Sequence, residues 1–431
     1  MRDIAVFFYM IFLIPMAVSN IYVAYLMWGW AGLIALNEYL YGRMVGVPFV
    51  QIFALITLGL LFFRKKAESI EFNFNRTSVI FVIFIIHCFF CALFAYPDVP
   101  RNWELFMNMF KTVLFCVMMP ALVTSRFRIH ALVIVIAIGI GFHGLLDGLK
   151  FISSAGGHLA LGIKKFGDNN HYAMILVMVL PLLFYLYQYS VNRIVRLGSI
   201  ATFVVVCLAV IATNSRGGLL SLVVMALWII LKSKRKIRGL LAMTMVALLM
   251  VQLAPERWFQ RMDTIQAADE DTSFMGRVTA WKRASAIALE NPVFGGGLHA
   301  GQAQSIFEQF RYKEGLLGFV TTPNVGYAAA SHSIYFEVLG DLGFVGLFLF
   351  LACFANAFIT LAEIRKMVKI RGPSTEWALD LANMLSASLV AFVVGGAALS
   401  AAYFELPYII LMLLEVVKLK VSKICPEEAT V

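Results

Sequence analysis

Arg216, Arg277 and His332 stand far apart in the chain, yet each sits in a setting suited to phosphate or proton-transfer chemistry. Arg216 lies in Thr213-Asn214-Ser215-Arg216-Gly217, where Ser215 is a suitable N-cap for a helix starting near Gly217. The free N–H groups of such a helix start, its positive dipole end and a forked guanidinium together make an anion site suited to phosphate. An arginine snorkelling to a membrane interface explains the same residues equally well. Arg277 and Trp281 are four apart, hence on one helix face, with Arg283 close behind. That pairing suits a phosphate beside a sugar or a lipid headgroup. Spacing alone favours a plainer reading, an amphipathic helix lying on a membrane. In Ser331-His332-Ser333-Ile334-Tyr335, Ser331 is expected to cap a helix and place His332 in its first turn. The helix dipole there disfavours imidazolium and leaves a neutral, base-competent ring. A merely hydrogen-bonded interfacial histidine is commoner for a lone His.

Other chemistry is weaker. Asp269-Glu270-Asp271 has the look of a metal carboxylate motif, but no third ligand stands beside it, and a solvated acidic turn is the better reading. Cys88 and Cys91 have no second pair or nearby histidine at ligand spacing, and the cysteines fall mostly inside apolar runs as packing residues. Of the other histidines, His171 in Asp168-Asn169-Asn170-His171 shares the surface expected for Arg216. Lys111 and Lys150 lie within or at the end of apolar runs, where charge is costly and often functional. Lys150 can snorkel; Lys111 is harder to dismiss.

The elements that position these residues are membrane helices. The chain of 431 residues is 61% hydrophobic and 14% charged, against about a quarter charged in soluble domains. Repeated apolar runs near the length of a bilayer span, without alternating strands, point to helices rather than a barrel. Spans are expected near 47–63, 78–95, 105–123, 130–151, 172–189, 197–213, 217–231, 239–253, 334–361 and 379–400, with a shorter run at 405–417. Residues 1–37 form either one span plus a re-entrant piece or two short spans. Ala17-Val18-Ser19 resembles a signal cleavage site, but Asp3 weakens the basic start, and the segment is read as retained.

Charge sets the parity. Connectors 64–77, 124–129, 190–196, 232–238 and 362–378, with the tail from Lys418, hold 20 Lys and Arg, and the short connectors on the other side (38–46, 96–104, 152–171, 214–216 and 401–404) hold five. The first group is therefore expected in the cytoplasm. The net charge of +10 is a topology signal spread over short connectors, not a nucleic-acid patch. The expected architecture is an all-α polytopic membrane protein of about twelve transmembrane helices. It divides into an N-terminal bundle (1–253), one large periplasmic loop (254–332) and C-terminal helices with a cytoplasmic tail (333–431).

Taken in order, S-R-G at 215–217, G-R-x-x-x-W at 276–281, N-P-x-F-G-x-G at 291–297 and H-S-x-Y at 332–335, with Gly340 and Gly343 downstream, resemble the O-antigen ligase and polymerase superfamily. The likeness spans roughly 165–345, and within the superfamily it favours the ligases of lipopolysaccharide assembly. Met1-Arg2-Asp3-Ile4 and Phe166-Gly167-Asp168-Asn169-Asn170 also resemble a group of O-glycosylation ligases from exopolysaccharide clusters. The resemblance implies a C-type, all-helical glycosyltransferase fold in the inner membrane. It implies transfer of a glycan from undecaprenyl diphosphate to lipid A core at the periplasmic face, without cofactor, metal or nucleotide sugar. Carried onto matching positions, Arg216 and Arg277 hold the diphosphate and His332 activates the acceptor hydroxyl. Ser215, Trp281, Tyr335, Asp168 and Asn169 are candidates for binding substrate.

Overall fold

The computed structural model describes residues 2–64, 70–72, 74–233, 236–237, 240–241, 272–323 and 326–424. Among these, every regular element is helical. The chain runs through α1 (Arg2–Ser19), α2 (Ile21–Ile34), α3 (Phe49–Arg64), α4 (Arg76–Leu93), α5 (Asn102–Leu122), α6 (Arg126–Ser153), α7 (Asn169–Tyr189), α8 (Arg193–Ala212) and α9 (Arg216–Lys232). It continues with α10 (Thr272–Glu290), α11 (Gln304–Phe310), α12 (Ile334–Arg371), α13 (Glu376–Gly395) and α14 (Glu405–Ser422). Eight helices among the described residues are long and apolar enough to cross a membrane, and α2 and α3 are shorter apolar helices. The span expected at 239–253 and the Asp269-Glu270-Asp271 turn lie outside the described residues.

Local sequence explains where the helices begin. Asn20, Asn75, Ser125, Asp168, Asn192 and Ser215 each stand at an N-cap and accept backbone N–H groups of the first turn. Asn20 divides the first 34 residues into two helices, α1 and α2. The α7 helix is apolar almost all round and forms the centre, packed against α6, α8, α9 and α13.

The long α12 differs from expectation at both its end and its middle. Its basic residues Arg365, Lys366 and Lys369, expected in a connector, continue the helix to Arg371, because nothing breaks it before Gly372-Pro373. In its middle, Gly343 adopts φ 69° and ψ −171° and interrupts the backbone ladder. The glycine turn after α10 fills the gap. Gly296 N–H donates to Gly340 O (2.9 Å), Gly297 N–H to Asp341 O (3.0 Å), and Phe344 N–H to Pro292 O (2.8 Å). The Asp341 carboxylate adds the His299 and Ala300 N–H groups and the Tyr403 hydroxyl. The glycines of the N-P-x-F-G-x-G stretch are therefore a splice between α10 and α12.

Gly343→Ala is expected to break that splice. The positive φ penalises any Cβ, and one placed there would lie 2.6 Å from Pro292 O. Strain of this kind costs roughly 1–3 kcal/mol, so the purified variant should melt several degrees lower. Gly59→Ala is the control, since a Cβ at Gly59 meets nothing within 4 Å. Equal melting of both variants would show that the turn imposes no constraint.

Candidate active site

The starts of α7 and α9 are knitted side by side. Asn169 Nδ2 donates to Thr213 O (2.8 Å), and Ser215 Oγ donates to Asn170 Oδ1 (2.8 Å) while accepting the Gly218 N–H (2.9 Å). Gly218 permits this approach, because a Cβ there would sit 2.4 Å from Ala173 Cβ. Arg216 is the first residue of α9, half-buried, and follows Asn214, which is held at φ 52°. Two positive helix ends and a guanidinium thus meet in one place, an arrangement suited to an anion. Asp168 is exposed, and its carboxylate caps α7 by accepting the Asn170 and His171 N–H groups. Asp168, Asn169 and Ser215, read from sequence as substrate contacts, all have structural partners here.

Helix α10 carries Arg277, half-buried, and packs along α12. Trp281 stacks on Phe336 (centroids 5.0 Å apart, planes 8° apart) and donates its Nε1–H to Ser331 O (2.7 Å). Arg283 is only 4% exposed and donates to Gly301 O (3.0 Å) and Ala329 O (2.6 Å). Burial without a carboxylate partner among the described residues pushes its pKa down to about 10. Both side chains hold the segment leading to His332. The indole N–H of Trp281 is spent on that task, and its ring is held by Phe336 and, edge-on, by Phe274.

The cap expected at Ser331 is corrected by the structure. The N-cap position belongs to Ser333, whose extended backbone (φ −160°) makes no side-chain cap bond, and the helix starts at Ile334. His332 therefore precedes the helix rather than occupying its first turn. It takes a left-handed φ of 44° and donates its N–H to Ser400 Oγ (2.9 Å). Such a conformation in a non-glycine residue is strained and concentrates at functional sites. The expected neutral imidazole stands, for a different reason. Burial lowers the His332 pKa most, the Arg277 charge lowers it further, and Asp168 pulls weakly the other way. Trp281 from α10 and Ser400 from the 400–404 segment thus hold the two residues Ser331 and His332 just before α12. Tyr335 turns away, donating its hydroxyl to Val393 O (2.8 Å).

Sequence reasoning passed over Ser400, Glu337 and Asp341. Glu337 Oε2 accepts the Ala402 N–H (3.0 Å), tying the 400–404 segment to α12. Its signal was available: two acids four apart inside an apolar run are costly in a membrane and call for partners.

Residues 201–351 match the family model described as O-antigen ligase. Residues 1–191 match a model described as a family of unknown function. No curated protein matches the chain. The first match contains Arg216, Arg277, the glycine splice and His332, and covers most of the stretch on which the motif resemblance rests.

Proposed function

We propose that this chain, which carries an O-antigen ligase family domain at residues 201–351, transfers glycan from undecaprenyl diphosphate to lipid A core oligosaccharide. The reaction takes place at the periplasmic face of the bacterial inner membrane and completes lipopolysaccharide. One observation carries this reading. Ser215 bonds to Asn170, which joins the Arg216 helix start to that of α7, and Trp281 bonds to Ser331 O, which ties the helix of Arg277 to the residue before His332.

In the proposed reaction the acceptor hydroxyl attacks the anomeric carbon of the donor sugar, forming the new glycosidic bond. The bond from that carbon to the diphosphate oxygen breaks, and polyprenyl diphosphate leaves. Arg216 and Arg277, with the N–H groups at the start of α9, stabilise the charge that develops on the leaving oxygen. Neutral His332 takes the proton of the attacking hydroxyl. The periplasmic assignment rests on the concentration of Lys and Arg in the connectors at the opposite side.

The test is reconstitution of the purified protein with undecaprenyl-diphosphate glycan and rough lipopolysaccharide. A ladder of glycan-extended lipopolysaccharide on a gel is the expected result. Elongation of the donor glycan alone would make the enzyme a polymerase, and label appearing only on added protein would make it a protein O-oligosaccharyltransferase. Movement of donor across vesicles without transfer would replace the enzyme reading by a transporter.

A further inference from the structure

A cavity of about 750 Å³ lies next to this site, walled by α2, α5, the segment before α7 and residues 400–405. Ser400, the acceptor of the His332 N–H, belongs to its wall, while Arg216 and Arg277 do not line it. The histidine thus stands between an arginine-bearing side and a separate chamber. Resting on the transfer reaction above, we infer that this cavity receives a glycolipid acceptor and that Lys111 binds an anionic substituent on it, a phosphate or a carboxylate.

Lys111 shares one face of α5 with Glu104 and Asn108, and all three line the cavity. Nine residues separate it from Asn102 at the helix start. At 1.5 Å per residue that is a depth of about 14 Å, close to the middle of a ~30 Å hydrocarbon core. An ammonium at such depth is expensive unless it faces a cavity and meets an anion.

Two of the other three cations on the wall are engaged, and the third, Lys164, is exposed in the segment before α7. Arg101 pairs with Glu104 (2.8 Å), and Lys165 bonds to Glu405 and to the Gly32 carbonyl. Lys111 is in no hydrogen bond or ion pair among the described residues, although its charge reaches Glu104, which Arg101 holds. Glu38 and Glu337 also line the cavity, so the chamber is not uniformly basic. Lys111 is the half-buried cation on the wall without an ion pair among the described residues, whereas Lys164 is exposed, so an acceptor anion inside the cavity is best met at Lys111. Side-chain amides of Gln51 and Gln302 offer both donors and acceptors to sugar hydroxyls. A folded protein surface does not reach an ammonium at mid-span; a slender glycolipid already in the bilayer does.

The test compares wild type, Lys111→Gln and Lys111→Arg, full length in nanodiscs, with three acceptors: rough lipopolysaccharide, its dephosphorylated form and its carboxyl-reduced form. Loss of one charge-assisted contact should raise the acceptor KM of Lys111→Gln about tenfold. kcat at saturating acceptor and KM for the donor should stay unchanged, and Lys111→Arg should recover most of the loss. Wild type should lose the same factor on whichever modified acceptor lacks the anion, and Lys111→Gln should no longer distinguish it. That arm identifies phosphate or carboxylate.

Equal loss on all three acceptors, no loss on any, or transfer only to a peptide would overturn the inference. Failure of the transfer reaction itself looks different, as absence of donor binding and of product in wild type as well. Binding of rough lipopolysaccharide alone, followed by tryptophan quenching, tests the cavity even then. Lys111→Gln must weaken it, and an unchanged affinity in a protein of unchanged melting temperature rejects the site.

Discussion

Arg216→Ala and Arg277→Ala are each expected to reduce glycan transfer by about 10²–10³, the scale of removing one preorganised donor from a developing oxyanion. The proposed transition state sheds a diphosphate, so negative charge grows on the leaving oxygen. In the proposed reaction Arg216 meets it from the first position of α9, the helix that Ser215 caps. Arg277 comes from α10, which the glycine splice fixes against α12. Lys should restore little at either position, because an ammonium cannot hold two oxygens in a fixed fork. The double substitution should cost less than the product of the two single losses, since both act on one diphosphate. Melting temperatures near wild type are required for this reading. Transfer should also persist in EDTA. Abolition by chelator with recovery in magnesium or manganese would shift the chemistry towards Asp269 and Asp271.

The bundle is legible in sequence because its signals are local. Apolar runs of bilayer length each act within a few residues. Ser215 was readable as a cap for the same reason. The errors occur where a distant contact decides. His332 is left-handed because its N–H is drawn to Ser400, 68 residues away, and no neighbour of His332 encodes that. The shift of the cap from Ser331 to Ser333 follows from the same contact and from the Trp281 bond to Ser331 O. The continuation of α12 past residue 361 was hidden by reading charge as the end of helix rather than the end of membrane. The glycines at 295–297 and 343 carried the resemblance, yet their work is backbone approach. A shared motif reports that a residue is needed without saying whether chemistry or packing needs it.

His332→Ala is expected to lower transfer by roughly 10²–10⁴, the span for losing a general base, while donor binding by the two arginines persists. Wild type should show an acid limb. The folded pKa of His332 lies below its usual 6.5, pushed down first by burial and then by Arg277. The neutral base is therefore complete above that value, and rate falls as pH drops through it. Residual activity of Arg277→Gln supplies a second reading. With one positive neighbour gone, imidazolium is less disfavoured, so the acid limb should move to higher pH. A histidine that only packs predicts neither the limb nor its movement.

Stability follows the same sign. A group whose neutral form is favoured by folding loses stability as pH falls below its unfolded pKa, and the loss is complete below the folded one. The wild type should therefore destabilise more steeply than His332→Ala below about pH 6.5. Gln separates orientation from proton transfer, because its amide can hydrogen-bond the acceptor hydroxyl but cannot take the proton. A His332→Gln protein with full activity and no acid limb would leave His332 as an orienting residue. Near-normal specific activity in a stable His332→Ala protein would remove it from the reaction. Loss of activity in both, with melting preserved and the wild-type limb shifted upward in Arg277→Gln, is the outcome that a base beside a guanidinium requires.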